Sequence, residues 1–218
     1  MMKTLLLTAA LSAVLISGCD TSASIVELND EEAALFSAAN IDGDSALQIR
    51  RHGSSVERLQ GLDENWEYYD AEGVVLLTNP DEGESTLESL RVALDSNRYA
   101  VYLLDQGFGY GPDSIAILAN TDPWFYLGTV KINGINYDIE HDDVIQRLRK
   151  WDSLYGLRII GGGMDWLHAR FDKPPKDWTT FAHEVYEFCP DVVDQGTGSV
   201  DALALELEKM RGVYLWWD

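Results

Sequence analysis

From residue 122 onward the chain alternates amphipathic helical stripes with short apolar runs, and this alternation constrains the fold more than any other feature. "HDDVIQRLRKWDSLYG" sets Val144, Leu148, Trp151 and Tyr155 on one helix face, with Gly156 placed to end the helix. "PPKDWTTFAHEVYEFCP" opens on a double proline and offers Asp177 as N-cap. It turns Trp178, Phe181, Val185 and Phe188 inward and stops at Pro190. A last stripe comprises Val200, Leu203, Ala204, Leu207 and Met210. Between and after these helices lie "LRIIG", "DWLHARF" and "VYLWW", each of strand length. Helices that bury one stripe need a shared apolar surface, and short strands supply it as a sheet. The expected fold is therefore α+β: a mixed β-sheet with amphipathic helices packed on it, closed by the C-terminal strand.

The first half is patterned less sharply. "EEAALFSAAN" has helical composition, and "WEYYDAEGVVLLTN" reads as a hairpin from Trp66 to Thr78 turning around "AEG". Ser85 with Glu88 forms a capping-box pattern for a helix through about Leu94. "YAVYLLD" (99–105) and "DSIAILAN" (113–120) read as strands flanking "QGFGYGP". That glycine stretch is not G-x-G-x-x-G, and Pro112 and a second strand follow it instead of a helix N-terminus. It reads as a hairpin loop with Phe108 and Tyr110 at its tip, placed to touch a partner. Asp122 and Pro123 suit the N-cap and first position of a short helix, and Asn133-Gly134 marks a turn. Asn40, Asp42 and Asp44 take positions one, three and five of an EF-hand-like loop. Ser45 replaces the glycine at six, and Arg51 stands where a bidentate acid belongs, so a plain turn is expected.

The N-terminus carries an address. Lys3 precedes the apolar run "TLLLTAALSAVLI", which is too short to span a bilayer as a stable helix and closes on "LISGC". Small residues before a cysteine form the lipobox pattern of bacterial lipoproteins. Residues 1–18 read as a lipoprotein signal peptide, and Cys19 as the lipidated N-terminus carrying diacylglycerol and an amide-linked acyl chain such as palmitate. Residues 19–30 read as the lipidated cysteine and tether, 31–120 as an N-terminal α+β segment, and 121–218 as a C-terminal domain. Asp20 resembles the signal retaining lipoproteins in the inner membrane of enteric bacteria. The expected place is the periplasmic face of a membrane, leaning to the inner one, or the extracellular face in a single-membrane host.

Removing 1–18 leaves 200 of the 218 residues, takes away one lysine, and moves the formal charge from −21 to −22. So acidic a chain is repelled by nucleic acid and by anionic headgroups, which leaves the acyl chains as the anchor. With Cys19 lipidated, Cys189 stands alone and no intramolecular disulfide can form.

"DQGTGS" lies between the helix ending at Pro190 and the one beginning near Ser199. Gly196 and Gly198 permit the reversal, Ser199 or Thr197 can cap, and Asp191, Asp194 and Asp201 would repel phosphate, so it reads as a joint. The acids of this region offer a different chemistry. Glu184 and Glu187 share a helix face, and Glu187, Asp191 and Asp194 are the candidate contacts for a hard metal ion or a partner, against the alternative of a solvated acidic face. His183 and Cys189 are six residues apart, about 600° around a helix, so they form no local dyad. Cys189 reads as a buried structural thiol, with His168 as its remaining conceivable partner. No cofactor-binding motif is present in the sequence.

The C-terminal run from Asp122 to Asp218 resembles a bacterial family, domain of unknown function 4253. The resemblance rests on Asn136-Tyr137-Asp138, Trp151-Asp152, Phe188-Cys189-Pro190-Asp191, Asp194-Gln195-Gly196 and Trp216-Trp217-Asp218. It implies a domain boundary and an α+β fold, and no activity, cofactor or catalytic residue. The lipoprotein signal departs from the family's mainly signal-less pattern. Two functions are expected to compete. One is a non-enzymatic protein-binding module, immunity-type or envelope-associated, whose partner is a basic protein. The other is a metal-dependent hydrolase using the acidic cluster.

Overall fold

The computed structural model describes residues 26–218, so the expected signal peptide, Cys19 and Asp20 lie outside the described residues. Among the described residues the first elements are α1 (Asp30–Ala38) and α2 (Gly43–Arg50), followed by β1 (Ser55–Leu62) and β2 (Tyr68–Leu77). Then come α3 (Gly83–Ala93), β3 (Ala100–Asp105), β4 (Ser114–Leu118) and α4 (Pro123–Val130). The chain continues through α5 (His141–Tyr155), β5 (Leu157–Gly162), β6 (Trp166–Phe171), α6 (Trp178–Phe188), α7 (Val200–Met210) and β7 (Gly212–Trp216).

The strands form one sheet in the order β1-β2-β4-β3-β5-β6-β7, antiparallel except where β3 runs parallel to β5. Strand alternation sends the two sets of side chains to opposite faces. Leu76, Val101, Leu103, Ile115 and Ile117 join Phe36, Ile49, Leu87 and Leu90 of α1–α3 in one buried cluster. Tyr102, Ala116, Ile159, Leu167, Ala169 and Leu215 join Tyr126, Leu148, Trp151, Phe181 and Leu207 of α4–α7 in the other. The α+β architecture is thus present, with the last strand closing one edge of the sheet. Because the chain enters the sheet at β1 and leaves at β7, residues 31–120 and 121–218 contribute to one continuous sheet.

The helix stripes behave as their spacing requires. Val144, Leu148 and Trp151 of α5, Phe181, Val185 and Phe188 of α6, and Leu203, Ala204 and Leu207 of α7 are buried. Asp122 caps α4 by accepting from the Trp124 N–H at 3.0 Å, Asp177 caps α6 from Thr180 N–H at 3.0 Å, and Ser199 caps α7 from Ala202 N–H at 3.2 Å. Gly156 ends α5.

Two expectations in the first half are corrected. The hairpin pairs β1 with β2 and turns at residues 63–67, where Asp63 Oδ1 accepts from Asn65 and Glu67 N–H. "AEG" lies inside β2, because the turn is made by a local Asx arrangement and not by the nearest glycine. Second, α3 begins at Gly83 without a capping box. The Gly83 N–H instead donates 2.8 Å to the buried Asp113 Oδ2, thirty residues later in sequence. The EF-hand-like stretch is the start of α2. Asp42 caps it, accepting from Ser45 N–H at 2.9 Å, Tyr99 hydroxyl at 2.7 Å and Arg98 at 3.0 Å.

Parallel strands β3 and β5 meet only at Leu103 and Gly161. Below that point they are bridged by a side chain: Arg91 of α3 donates from Nη2 to the carbonyls of Val101 (2.9 Å) and Ile159 (3.2 Å). No helix among the described residues is long and apolar enough to cross a membrane.

Candidate functional site

Strands β6 and β7 are packed by α5–α7 on one face only. On the other face alternation brings Trp166, His168 and Arg170 of β6 beside Tyr214 and Trp216 of β7, with Trp166 directly opposite Trp216 and His168 opposite Tyr214. Trp166, Tyr214 and Trp216 are half-buried and line an open cavity of about 690 Å³ together with Asp105, Gln106, Phe108 and Asp165. The rings of Trp166 and Tyr214 stack at 5.7 Å between centroids and 21° between planes, and Trp216 tilts 59° against Tyr214 at 5.9 Å.

The charged groups of the cavity, Asp105 and Asp165, have one sign. The Tyr214 hydroxyl donates 3.0 Å to Gln106 Oε1. Its pKa is pushed up to about 12, first by burial and then by the carboxylates of Asp105, Asp165 and Glu84. Three aromatic faces beside Asp105 and Asp165 therefore present the chemistry that receives a cation: ring quadrupoles from the walls and carboxylates at the rim. The loop after β3 adds Phe108 (69% exposed) at the mouth, with Tyr110 (99% exposed) beyond it. Phe108 holds φ at +46°, a strained backbone for a bulky residue, which suits a side chain held out at a binding surface.

The family-like motifs converge just beyond Trp216, where the chain leaves β7. Asp191 is 2% exposed and holds three donors: the Tyr137 hydroxyl, Gln195 Nε2 at 3.0 Å, and the Asp218 N–H at 2.8 Å. Burial pushes its carboxyl pKa up, but these hydrogen bonds outweigh burial and leave it below the ordinary carboxylate value. Trp217 is buried and donates to the Phe188 carbonyl at 3.3 Å. Two glycines make room for the tail. A Cβ on Gly134 would stand 2.8 Å from the Trp217 ring, and one on Gly196 would stand 2.8 Å from the Trp216 ring. "DQGTGS" is accordingly the π-helical joint Val192–Thr197 followed by Gly198 at φ +75°, and its Gly196 seats the tryptophan that closes the cavity.

The acids singled out in the sequence take separate partners. Asp191 lies in this buried node, and Asp194 accepts from the Tyr186 hydroxyl at 3.0 Å. Exposed Glu187 borders a different depression, beside Arg147 and Lys150. Glu184 accepts from Lys150 (2.6 Å), Arg147 (3.1 Å) and the Trp151 ring N–H (3.3 Å). Among the described residues no three His, Cys, Asp or Glu side chains are grouped to hold a metal ion. Cys189 is fully buried, donates to the Trp216 carbonyl at 2.9 Å and has its pKa pushed up to about 12 by burial, so it is a structural thiol. His168 lies on the opposite face of the sheet from it. His183 is exposed.

The cavity residues were missed as a group. The signal was present in the period-two spacing of Trp166-His168-Arg170 and Tyr214-Trp216, but only strand pairing reveals that the two sets share a face.

Residues 114–218 match a family model described as Domain of unknown function (DUF4253), so the match reaches back to β4, beyond the resemblance read from Asp122. No curated protein and no solved structure gives a significant match to the chain.

Proposed function

We propose that this chain is a lipid-anchored, non-enzymatic binding protein that captures a cationic group of a basic protein partner in the Trp166–Tyr214–Trp216 cavity. The observation that carries this reading is the cavity itself: three aromatic rings and two flanking carboxylates with no cation among its walls. The formal charge of −21 supports it by attracting a basic partner over longer range, within the Debye length set by salt.

The test uses a short lysine- and arginine-containing peptide as probe, followed by tryptophan fluorescence of the folded chain. Saturable binding is expected, weakened at least tenfold by Trp166→Ala and by the pair Asp105→Asn with Asp165→Asn. A glutamine-substituted peptide is expected not to bind. Emission unmoved by millimolar peptide at low salt overturns the reading.

Anchoring rests on "LISGC" and Cys19, with Asp20 favouring the inner membrane. In a bacterial host, Cys19→Ala is expected to move the protein from the membrane fraction to the soluble one and to remove the acyl mass from its N-terminus. A variant that stays in the membrane fraction refutes the lipid anchor.

A further inference from the structure

The same strand β6 ends in a feature of opposite sign. Arg158 of β5 and Arg170 of β6 are direct partners in the antiparallel ladder. Their neighbours Ile159 and Ala169 point into the α4–α7 layer, so both arginines stand on the other face, and both are exposed. Neither makes a salt bridge among the described residues. This is unexpected in a chain with 37 acidic and 16 basic residues, where a carboxylate partner is easily supplied. Like charges directly opposite on a ladder repel and destabilise the pair.

A third guanidinium is fixed beside them. Arg91 is held by the Val101 and Ile159 carbonyls, with only a loose 3.7 Å contact to Glu88. Arg91 and Arg158 line a crevice of about 470 Å³ where β3 and β5 diverge, and Ser96, Tyr99 and Asp172 line it too. Asp172 is the one carboxylate in that wall. His168, two residues before Arg170 on the same strand face, is 7% exposed, and its Nε2 has no hydrogen-bond partner.

We propose that Arg158, Arg170 and Arg91 form a binding site for a phosphate-type oxyanion, which bridges the two ladder arginines and relieves their repulsion. Guanidinium forks match the oxygens of a phosphoryl group in pairs, and two forks side by side on rigid strands are already positioned for it. The inference stands apart from the acidic, aromatic cavity, which lies at the other end of β6.

The probes are inorganic phosphate and glycerol phosphate, titrated calorimetrically into the folded chain at constant ionic strength, and vesicles containing phosphatidylglycerol. One-to-one saturable binding of the soluble phosphates is expected, reduced at least tenfold by Arg158→Gln and by Arg170→Gln. Each variant is expected to be at least as stable as the parent without phosphate, because repulsion is removed, and to be less stabilised than the parent with it. Peptide binding at the cavity should persist in both variants, which separates failure of this proposal from failure of the cavity reading. Binding to vesicles alone, lost in the same variants, assigns the oxyanion to a lipid headgroup and sustains the site. Absence of binding to every probe, or binding indifferent to both substitutions, overturns it.

Discussion

Asp191→Ala is expected to lower the unfolding free energy by about 1–3 kcal/mol, the cost of leaving its hydrogen-bond donors without their acceptor. The carboxylate is 2% exposed and receives the Tyr137 hydroxyl, the Gln195 amide and the Asp218 N–H. Truncation takes one shared acceptor from the turn at Tyr137, the joint at Gln195 and the tail at Asp218. Against a typical domain stability of about 5–15 kcal/mol, that is a large fraction. Asp191→Asn keeps the volume and one acceptor, but its NH₂ must face the Asp218 N–H or the Tyr137 hydroxyl. A backbone N–H cannot accept, so the loss is expected to lie between parent and alanine variant. Urea unfolding followed by tryptophan fluorescence measures both. A loss under about 1 kcal/mol for alanine would show that the tail is held by Trp217 packing alone.

That node explains why the family-like residues are scattered in sequence. Tyr137 comes from the turn after Asn133-Gly134, Asp191 and Gln195 from the joint between α6 and α7, and Asp218 from the end of β7. None forms a local pattern, because their common property is spatial: together they clamp β7 and its tryptophans against α6. The clamp also shapes the cavity, since Gly196 of the joint accepts the Trp216 ring on one side while that ring walls the aromatic pocket on the other. Fold support and candidate site meet in a single side chain.

Legibility followed the range of the forces involved. Helices α5, α6 and α7 could be placed from their own residues, because amphipathic spacing and N-caps are local and each stripe had one sheet face to cover. The cap of α3 could not be read, because its acceptor, Asp113, arrives from the residue just before β4, thirty positions away. The β1–β2 turn was misplaced for a related reason: Asp63 makes it with two backbone N–H groups, and glycine was the wrong marker. Likewise the acidic, aromatic cavity and the arginine pair depend on which strands are neighbours. Sequence gives the alternation along β6; only the order β5-β6-β7 gives what stands opposite each residue.

Stability is expected to fall by about 3 kcal/mol as pH drops from 6.5 to 4, through His168. Burial first, and then the nearby charges of Arg170 and Arg91, lower its pKa from the ordinary 6.5 to about 4. Between those two values the unfolded chain binds a proton that the folded chain refuses, so stability rises with pH across that window. The full contribution is present above pH 6.5 and is lost as the pH approaches 4, at about 1.4 kcal/mol for each tenfold difference in proton affinity. Carboxylates held low in the folded chain, such as Asp177 with its Thr180 backbone hydrogen bond, lose their contribution below their ordinary 3.8 and so act beneath this window. The groups facing His168 are Tyr214 across the ladder and the two arginines. Urea unfolding at half-unit pH steps gives the slope directly, and His168→Gln is expected to flatten it. A parent chain whose stability is level from pH 6.5 to 4, or a variant with the parent's slope, would mean that protonated His168 is accommodated beside Arg170 and Arg91. That result would also argue that the arginine cluster carries less unbalanced charge than its ladder geometry implies.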